Sequence, residues 1–267
     1  MKAFDLLESW PCPHVSAAVV APDQAVHTHG DPTQLFALAS VTKLLTAVAV
    51  HIAVEEETIT LDDSVNDRGA TIADLLAHSS GLSPQGDPVD EPGRRRIYSN
   101  AGYELAASVV ASKADMSFAD YLKEGVFDPL EMKSTRLLSS PAFGATSTVG
   151  DLARFLRGID SLLAPSTIDT MVSPYLPELI GVLPGYGRQS PNTWGLGPEI
   201  RSGKSPHWTG TNNSPRTWGH FGATGTFVWT DPDIDVSMIV LTDRDFGEWA
   251  IPLWTAASNA VIAELSP

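Results

Sequence analysis

Ser40 and Lys43 lie three residues apart at the start of an apolar segment, residues 40–53, which reads SVTKLLTAVAVHIA. The scarcity of charges predicts a largely buried helix that begins near Ser40. Side chains at positions i and i+3 project from one helix face, so the serine hydroxyl and the lysine amine can approach hydrogen-bonding distance. Burial lowers the pKa of a lysine, and the neutral amine can then accept the serine proton. The pair therefore predicts a nucleophile with its base, although the spacing alone also fits a capping serine beside a solvated lysine.

Further motifs follow in a consistent order. Tyr98-Ser99-Asn100 precedes a predicted helix, and residues 218–226, WGHFGATGT, precede a β-rich run. With these motifs the chain resembles the serine β-lactamase and penicillin-binding-protein superfamily, in the branch that holds class C β-lactamases, family VIII esterases and D-aminopeptidases. The resemblance covers most of the chain. Its supporting segments are residues 75–82 (LLAHSSGL), 127–132 (FDPLEM), 147–155 (STVGDLARF) and 194–197 (WGLG).

The resemblance implies a role for each motif residue near the nucleophile. Ser40 would be acylated, and Lys43 would accept its proton or activate it electrostatically. Tyr98 would share in deprotonating the serine and later activate the deacylating water, because adjacent positive charge favours phenolate. Whether Tyr98 or Lys43 is the general base stays open. Asn100 would hydrogen-bond the lysine and a substrate carbonyl, and the alternative is a helix N-cap.

The triad His220-Phe221-Gly222 stands where many relatives have K-T-G or K-S-G. The resemblance implies that Gly222 keeps the cleft wall open for substrate, and that the amides of Ala223 and Ser40 form an oxyanion hole, which can lower a barrier by roughly 3 to 4 kcal/mol. Histidine, with an ordinary pKa of about 6.5, is mostly neutral near pH 7. His220 therefore weakens carboxylate recognition. Histidine at this place is common in the esterase and aminopeptidase-like branch, so the resemblance implies that branch. Its alternative is a strand histidine satisfied by a neighbouring backbone carbonyl.

Hydrophobic patterning predicts the order β, α, β, α along the chain. Strands are predicted at residues 15–20, 24–29, 193–200, 218–221, 226–230 and 236–241. Helices are predicted at residues 71–77, 101–114, 117–125, 148–159 and 249–265. We expect an α+β fold of the β-lactamase/transpeptidase type, an antiparallel sheet flanked by helices with an inserted helical lobe. Residues 1–35 and 190–267 would form the sheet lobe and residues 36–189 the mainly helical lobe, with the active-site cleft between them.

Composition limits the partners of the chain. Its 267 residues, 43% of them hydrophobic, can bury a substantial core, and a net charge of −15 argues against nucleic acid and anionic membranes. Cys12 is the only cysteine, so no internal disulfide is possible. A charged N-terminal segment and the lack of an apolar run of about 20 residues predict a cytoplasmic protein without a membrane span. We expect a monomer or weak homo-oligomer without a cofactor, and the strand pair His27 and His29 lacks a third metal ligand.

Several weaker features border the predicted site. Residues 94–96, three consecutive arginines, are predicted to lie in a solvated loop, with attraction of anionic substrates as the alternative. His78 is predicted to form a structural turn or cap. Residues 174–192 and 201–216 are predicted to border the cleft. Three tryptophans are candidates for an acyl pocket: Trp194, Trp208 and Trp218.

The sequence thus predicts a serine hydrolase that acts through a Ser40 acyl-enzyme, mainly on carboxylic esters or small amides. Within the same chemistry, the alternative is a β-lactamase, a penicillin-binding protein or a D-amino-acid peptidase. An alternative of another class is a non-catalytic protein that uses the same cleft to bind a ligand.

Overall fold

A computed structural model describes residues 1–265 of the chain. Its strands are Val15–Val20 (β1), Val26–His29 (β2), Phe36–Ala37 (β3), Arg136–Leu137 (β4), Ala145–Ser147 (β5), Gly181–Leu183 (β6), Gly187–Gln189 (β7), Glu199–Ile200 (β8), Trp218–Gly222 (β9), Thr226–Asp231 (β10) and Val236–Thr242 (β11). Its α-helices are Thr42–Glu55 (α1), Ile72–Leu76 (α2), Asn100–Ala114 (α3), Phe118–Leu122 (α4), Val149–Leu162 (α5), Pro165–Val172 (α6) and Ala250–Leu265 (α7). Short 3₁₀ helices span Lys2–Ser9 and Ala39–Val41, and a π-helical turn spans Lys123–Phe127.

The main sheet is assembled from both ends of the described chain. Its strand order is β2-β1-β11-β10-β9-β8, and its paired neighbours are antiparallel. In the central pair Val15 lies opposite Thr242 and Val20 opposite Ser237. The sequence VSAAVV of β1 is almost wholly apolar because the strand is paired on both edges and covered on both faces. The predicted sheet with helices inserted in the chain is confirmed, whereas its division into lobes at residues 35 and 190 stays a prediction.

Alternate side chains of the sheet enter two separate cores. On one face, Ala17 and Val19 pack with Trp229, with the N-terminal 3₁₀ helix and with α7. On the other face, Ala18 and Val20 join the large cluster that includes α1, α3 and α5. This division follows from the two-residue period of a β-strand. The sheet is therefore held between helices on both faces, and α1 lies in the larger core.

Helix α1 is buried on nearly every side, as its apolar sequence predicts. It begins at Thr42 and not at Ser40, because residues 39–41 form a 3₁₀ turn in front of it. Helices α2 to α5 each begin with a side-chain cap; for example, the Thr71 hydroxyl accepts from the Asp74 amide at α2, and the Thr148 hydroxyl accepts from the Asp151 amide at α5. Such caps satisfy amides that have no partner within the helix.

One predicted strand needs correction, and two small sheets and one helix were not predicted. The strand predicted at residues 193–200 is reduced to β8, because the Gly195 amide bonds the Pro198 carbonyl at 2.9 Å and turns the chain. The small sheet β3-β5-β4 and the pair β6-β7 were not predicted, since strands of two or three residues show no usable alternation. Helix α6 was missed because it is only eight residues long, with a proline in its first turn.

Among the described helices, none combines the length and the apolar character that crossing a bilayer requires.

Candidate active site

A cavity of about 260 Å³ lies between the Ser40 turn, the segment before α3, and β9. We call it the Ser40 cavity. It is lined by Ser40, Tyr98, Asn100, Leu183, Pro184, Gly185, Trp194, Glu199, His220, Phe221, Ala223 and Phe246. The structure therefore brings five of the seven predicted site residues to one cavity surface, and Lys43 lies behind it.

Ser40 sits on a tight turn with an unusual backbone. The preceding residue, Ala39, has φ = +45°, in the left-handed region that disfavours residues with a Cβ. The turn packs directly against β9. A Cβ at Gly222 would lie 2.4 Å from the Leu38 carbonyl oxygen and 2.5 Å from Thr226 Oγ1. Gly222 does not line the cavity, so the missing side chain serves this close approach, and its part in substrate binding stays a prediction.

Lys43 is fully buried and surrounded by acceptors. Its Nζ donates to Asn100 Oδ1 at 2.7 Å and to the Ala142 carbonyl at 2.9 Å, with a longer contact of 3.4 Å to Ser40 Oγ. Burial lowers the pKa of Lys43 to about 7, and the distant negative charge of Glu104 opposes this only in part. Near neutral pH a large fraction of the amine is therefore unprotonated, as a general base requires.

Tyr98 lies against the lysine, but its phenol is not activated in the way the sequence suggested. The Lys43 Nζ is 4.8 Å from the centroid of the Tyr98 ring. Burial raises the pKa of Tyr98 above its ordinary value, and the neighbouring Ser40 hydroxyl offsets only part of this rise. This direction is opposite to the expected shift toward phenolate, and its largest cause is desolvation, which disfavours the charged form. These two pKa directions favour Lys43 over Tyr98 as the proton acceptor, and the assignment of the general base stays a prediction.

Asn100 is the first residue of α3, and its side chain is directed to Lys43. Ser99 is the N-cap of this helix, since its hydroxyl accepts from the Gly102 amide at 3.1 Å. The N-cap alternative for Asn100 is therefore wrong. With the helix end satisfied by the neighbouring serine, the Asn100 amide is free to hold the lysine and to face the cavity.

His220 on β9 is a buried, neutral histidine. Its Nδ1 donates to the Phe221 carbonyl at 2.7 Å, since a carbonyl can only accept, and its Nε2 is buried without a partner in the described structure. Burial, followed by the charge of Lys43, lowers the pKa of His220 to about 3. The backbone contact matches the strand-histidine alternative, while the cavity position matches the predicted site. Either way, the ring supplies no cation near pH 7.

His78 and Trp194 complete an aromatic group around Tyr98. The His78 ring centroid is 4.5 Å from that of Tyr98 and 4.6 Å from that of Trp194. His78 Nδ1 accepts from the Ser99 amide at 3.1 Å, so the ring supports the segment that carries Tyr98. The predicted structural role of His78 is consistent with these contacts. Trp194 lines the cavity, whereas Trp208 and Trp218 do not.

The predicted oxyanion hole rests on the backbone amides of Ser40 and Ala223. In the described chain, neither amide donates to a protein acceptor, while the Ala223 carbonyl accepts from the Phe246 amide at 2.8 Å. Both residues line the Ser40 cavity. Two unpaired amides beside a nucleophile are suited to a developing oxyanion, and this assignment stays a prediction.

A family model described as Beta-lactamase matches residues 7–260. The chain belongs to the beta-lactamase family. It is 48% identical to a Mycobacterium bovis protein whose crystal structure is described as a beta-lactamase; the match covers 99% of this chain and 100% of that one, with a TM-score of 0.96. The superfamily and fold predicted from the motifs are thereby confirmed.

Curated relatives match over shorter segments. Penicillin-binding protein 4* of Bacillus subtilis (strain 168) is 31% identical over an alignment of 137 residues, and the match covers 39% of this chain and 30% of the relative. A beta-lactamase of Yersinia enterocolitica is 24% identical over an alignment of 177 residues, and the match covers 46% of each protein. The matched parts span less than half the length of either relative.

Sequence reasoning missed a charged group in the cavity wall of this beta-lactamase-family chain. Glu199 lies on β8, is 1% exposed, and accepts from Lys204 Nζ, from Trp208 Nε1 and, at 3.0 Å, from His207 Nε2. Burial opposes its ionisation, but Lys204 and His207 outweigh that effect and hold the pKa of Glu199 at about 2. A lone acidic residue between apolar Leu196 and Ile200 was the signal that could have indicated it.

The arginine run divides between surface and core. Arg94 and Arg95 are exposed and pair with Asp90, as a solvated loop predicts. Arg96 is only 3% exposed, so the prediction was wrong for this residue. Its guanidinium is buried because backbone carbonyls of other segments surround it.

Of the two loops predicted to border the cleft, residues 174–192 supply cavity wall residues, whereas 201–216 do not.

Proposed function

We propose that this chain is a serine hydrolase that forms an acyl-enzyme at Ser40 and acts on uncharged carboxylic esters or small amides. The observation that carries the proposal is the Lys43 amine, which is fully buried, has a pKa lowered to about 7, and lies 3.4 Å from Ser40 Oγ. A solvated lysine would be almost wholly protonated at this pH and could not act as a base.

The proposed reaction proceeds in two halves. Ser40 Oγ attacks the substrate carbonyl carbon as its proton passes to Lys43 Nζ, and that proton then leaves with the alcohol or amine. A water molecule next adds to the acyl carbon; its proton returns through the same groups to Ser40 as the acid is released. Tyr98, whose raised pKa keeps the phenol protonated, would relay these protons. The amides of Ser40 and Ala223 would stabilise both oxyanions, a contribution of roughly 3 to 4 kcal/mol.

The charges around the cavity support an uncharged substrate. Among the described residues that line it, none is lysine or arginine, and His220 is neutral because its pKa is held near 3. Glu199 in the same wall is ionised and paired with the buried Lys204, so this pair adds no net charge. A substrate carboxylate would therefore meet no permanent cation, whereas Leu183, Phe221 and Phe246 offer apolar surface to an acyl or alkyl group.

The first test is the intact mass of the protein after incubation with an activated fluorophosphonate. We expect one adduct on the native chain and none on Ser40→Ala. Ser166→Ala is the matched control, since this serine is exposed on α6 and lies outside the cavity lining, and it should label like the native protein. A folded native chain without an adduct would contradict the proposal and favour the non-catalytic ligand-binding alternative.

A second candidate is β-lactam hydrolysis, favoured by the likeness to the Mycobacterium bovis protein that is described as a beta-lactamase. It shares the acyl-enzyme at Ser40 and differs in substrate. To distinguish ester hydrolysis from β-lactam hydrolysis, turnover of p-nitrophenyl butyrate and of a chromogenic cephalosporin is measured with the same enzyme preparation. We expect the ester to have the larger kcat/KM, and the opposite order would favour the β-lactamase and overturn the preference for uncharged substrates.

A further inference from the structure

Arg96 occupies a site made almost entirely of backbone carbonyls. Its Nη1 donates to Ala77 at 2.8 Å, its Nε to Asn192 at 3.1 Å, and its Nη2 to Leu176 at 2.9 Å and to Tyr175. No carboxylate forms a salt bridge with it in the described part of the chain. Burial lowers the pKa of Arg96 to about 10, so the guanidinium stays charged near pH 7.

The backbone of Arg96 is tied to the same region. Its amide donates to the Ile180 carbonyl at 2.9 Å, and the residue forms a parallel bridge with Gly181. A Cβ at Gly181 would lie 2.6 Å from Arg96 Cβ and 2.6 Å from its carbonyl oxygen. The main chain and the side chain of Arg96 therefore both hold residues 175–192 against the extended segment that contains Arg96.

The hydrogen bonds of Arg96 connect two segments that contribute to the Ser40 cavity. Arg96 lies two residues before Tyr98, which is beside the Lys43 amine. The fastened residues 175–192 include Leu183, Pro184 and Gly185 of the apolar wall. One side chain thus connects the segment of the proton-transfer groups with the wall that a substrate chain would contact.

We propose that Arg96 is a positioning residue that sets the spacing between this apolar wall and Tyr98, and that it thereby determines the preference for acyl-chain length. The inference rests on the proposed hydrolase function. A planar guanidinium with five N–H donors can bind carbonyls in several directions at once, which lysine cannot do. Without it, the wall loses its fixed distance from the nucleophile, and longer acyl chains lose more contacts than an acetyl group.

The test compares p-nitrophenyl acetate with p-nitrophenyl octanoate for the native chain, Arg96→Ala, Arg96→Lys and the control Arg95→Met. Fluorophosphonate titration gives the active fraction, and circular dichroism with thermal unfolding shows whether each variant is folded. We expect the octanoate-to-acetate ratio of kcat/KM to fall roughly tenfold or more in Arg96→Ala, mainly through KM. Arg96→Lys should fall less, millimolar methylguanidinium should restore part of the ratio in Arg96→Ala, and Arg95→Met should keep the native ratio.

A purely structural role would lower stability and active fraction but leave the ratio unchanged, and that result would overturn the inference. Should Arg96→Ala not fold, Arg96→Lys decides alone: a reduced ratio supports the inference and a native ratio contradicts it. Failure of the native chain to label at Ser40 contradicts the proposed function itself. Normal labelling with an unchanged ratio contradicts only the role of Arg96.

Discussion

Asn100 Oδ1 accepts a 2.7 Å hydrogen bond from Lys43 Nζ, although the two residues are 57 positions apart and belong to different helices. The lysine is thus held by neutral acceptors, and within residues 1–265 no carboxylate forms a salt bridge with it. Burial can therefore lower its pKa to about 7 without being cancelled by an ion pair. This arrangement gives the site an amine that titrates near neutral pH, as the proposed general base requires.

The rate of Ser40 acylation should rise with pH through about 7. The pKa of Lys43 is lowered from 10.5 to about 7, so the neutral, proton-accepting form increases as pH rises and dominates above that value. Between pH 6 and 8 we expect about a tenfold increase. The measurement is the second-order rate of labelling by a non-ionising fluorophosphonate, with circular dichroism at each pH as the control for folding. A flat or falling profile would contradict the role of Lys43.

Tyr98→Phe should slow acylation by about 100-fold or more, because the phenol would no longer relay the proton. The rise near pH 7 should remain, since Lys43 and not Tyr98 titrates there. Tyr186→Phe is a suitable control, because its buried hydroxyl has no partner in the described structure and should be dispensable. Disappearance of the rise in Tyr98→Phe would instead assign the base to the tyrosine.

Ala39→Gly should stabilise the protein by about 1 kcal/mol, because glycine adopts φ = +45° without the penalty that a Cβ carries. Urea unfolding measures the free-energy difference. Ala37→Gly is the matched comparison two residues earlier, in β3, where glycine should destabilise by about 0.5 to 1 kcal/mol. If Ala39→Gly destabilises as Ala37→Gly does, the strain assigned to the Ser40 turn is absent.

Lys204→Met should destabilise the protein by about 3 to 5 kcal/mol, because it leaves the buried Glu199 carboxylate without its cation. The stability contributed by this pair is fully present above about pH 4.5, the ordinary pKa of the carboxyl, and is lost as pH falls through the lowered pKa of about 2. The loss of stability in Lys204→Met should therefore shrink over that range. Urea unfolding at several pH values tests this. Arg216→Met breaks an exposed pair with Asp233 and should change stability by less than about 1 kcal/mol. Equal losses in the two variants would contradict the importance assigned to burial.

Local patterns predicted the parts of the site that depend on neighbouring residues. The i, i+3 spacing placed Ser40 and Lys43 together, and the apolar sequence of residues 40–53 indicated the burial that lowers the lysine pKa. The motif order indicated Tyr98, Asn100 and His220, which the structure brings to one cavity. The pairing of Ser40 with Lys43 was predictable because helix geometry acts over a few residues, whereas Tyr98, Asn100 and His220 were implied by the resemblance to a known family.

The tertiary structure decided which polar groups are buried and what faces them. Arg96 was indistinguishable from Arg95 in the sequence, yet one is surrounded by carbonyls from distant segments and the other meets water. Glu199 is bound by Lys204, His207 and Trp208, which follow it by five, eight and nine positions, and the helix and strand periods do not indicate these contacts. Burial by the packed segments around it raises the pKa of Tyr98. Desolvation and contacts between packed segments depend on the complete packing of the chain, so no local pattern carries them. The long helices, the longer strands of the main sheet and the motifs were already indicated by the sequence, because their patterns extend over neighbouring residues.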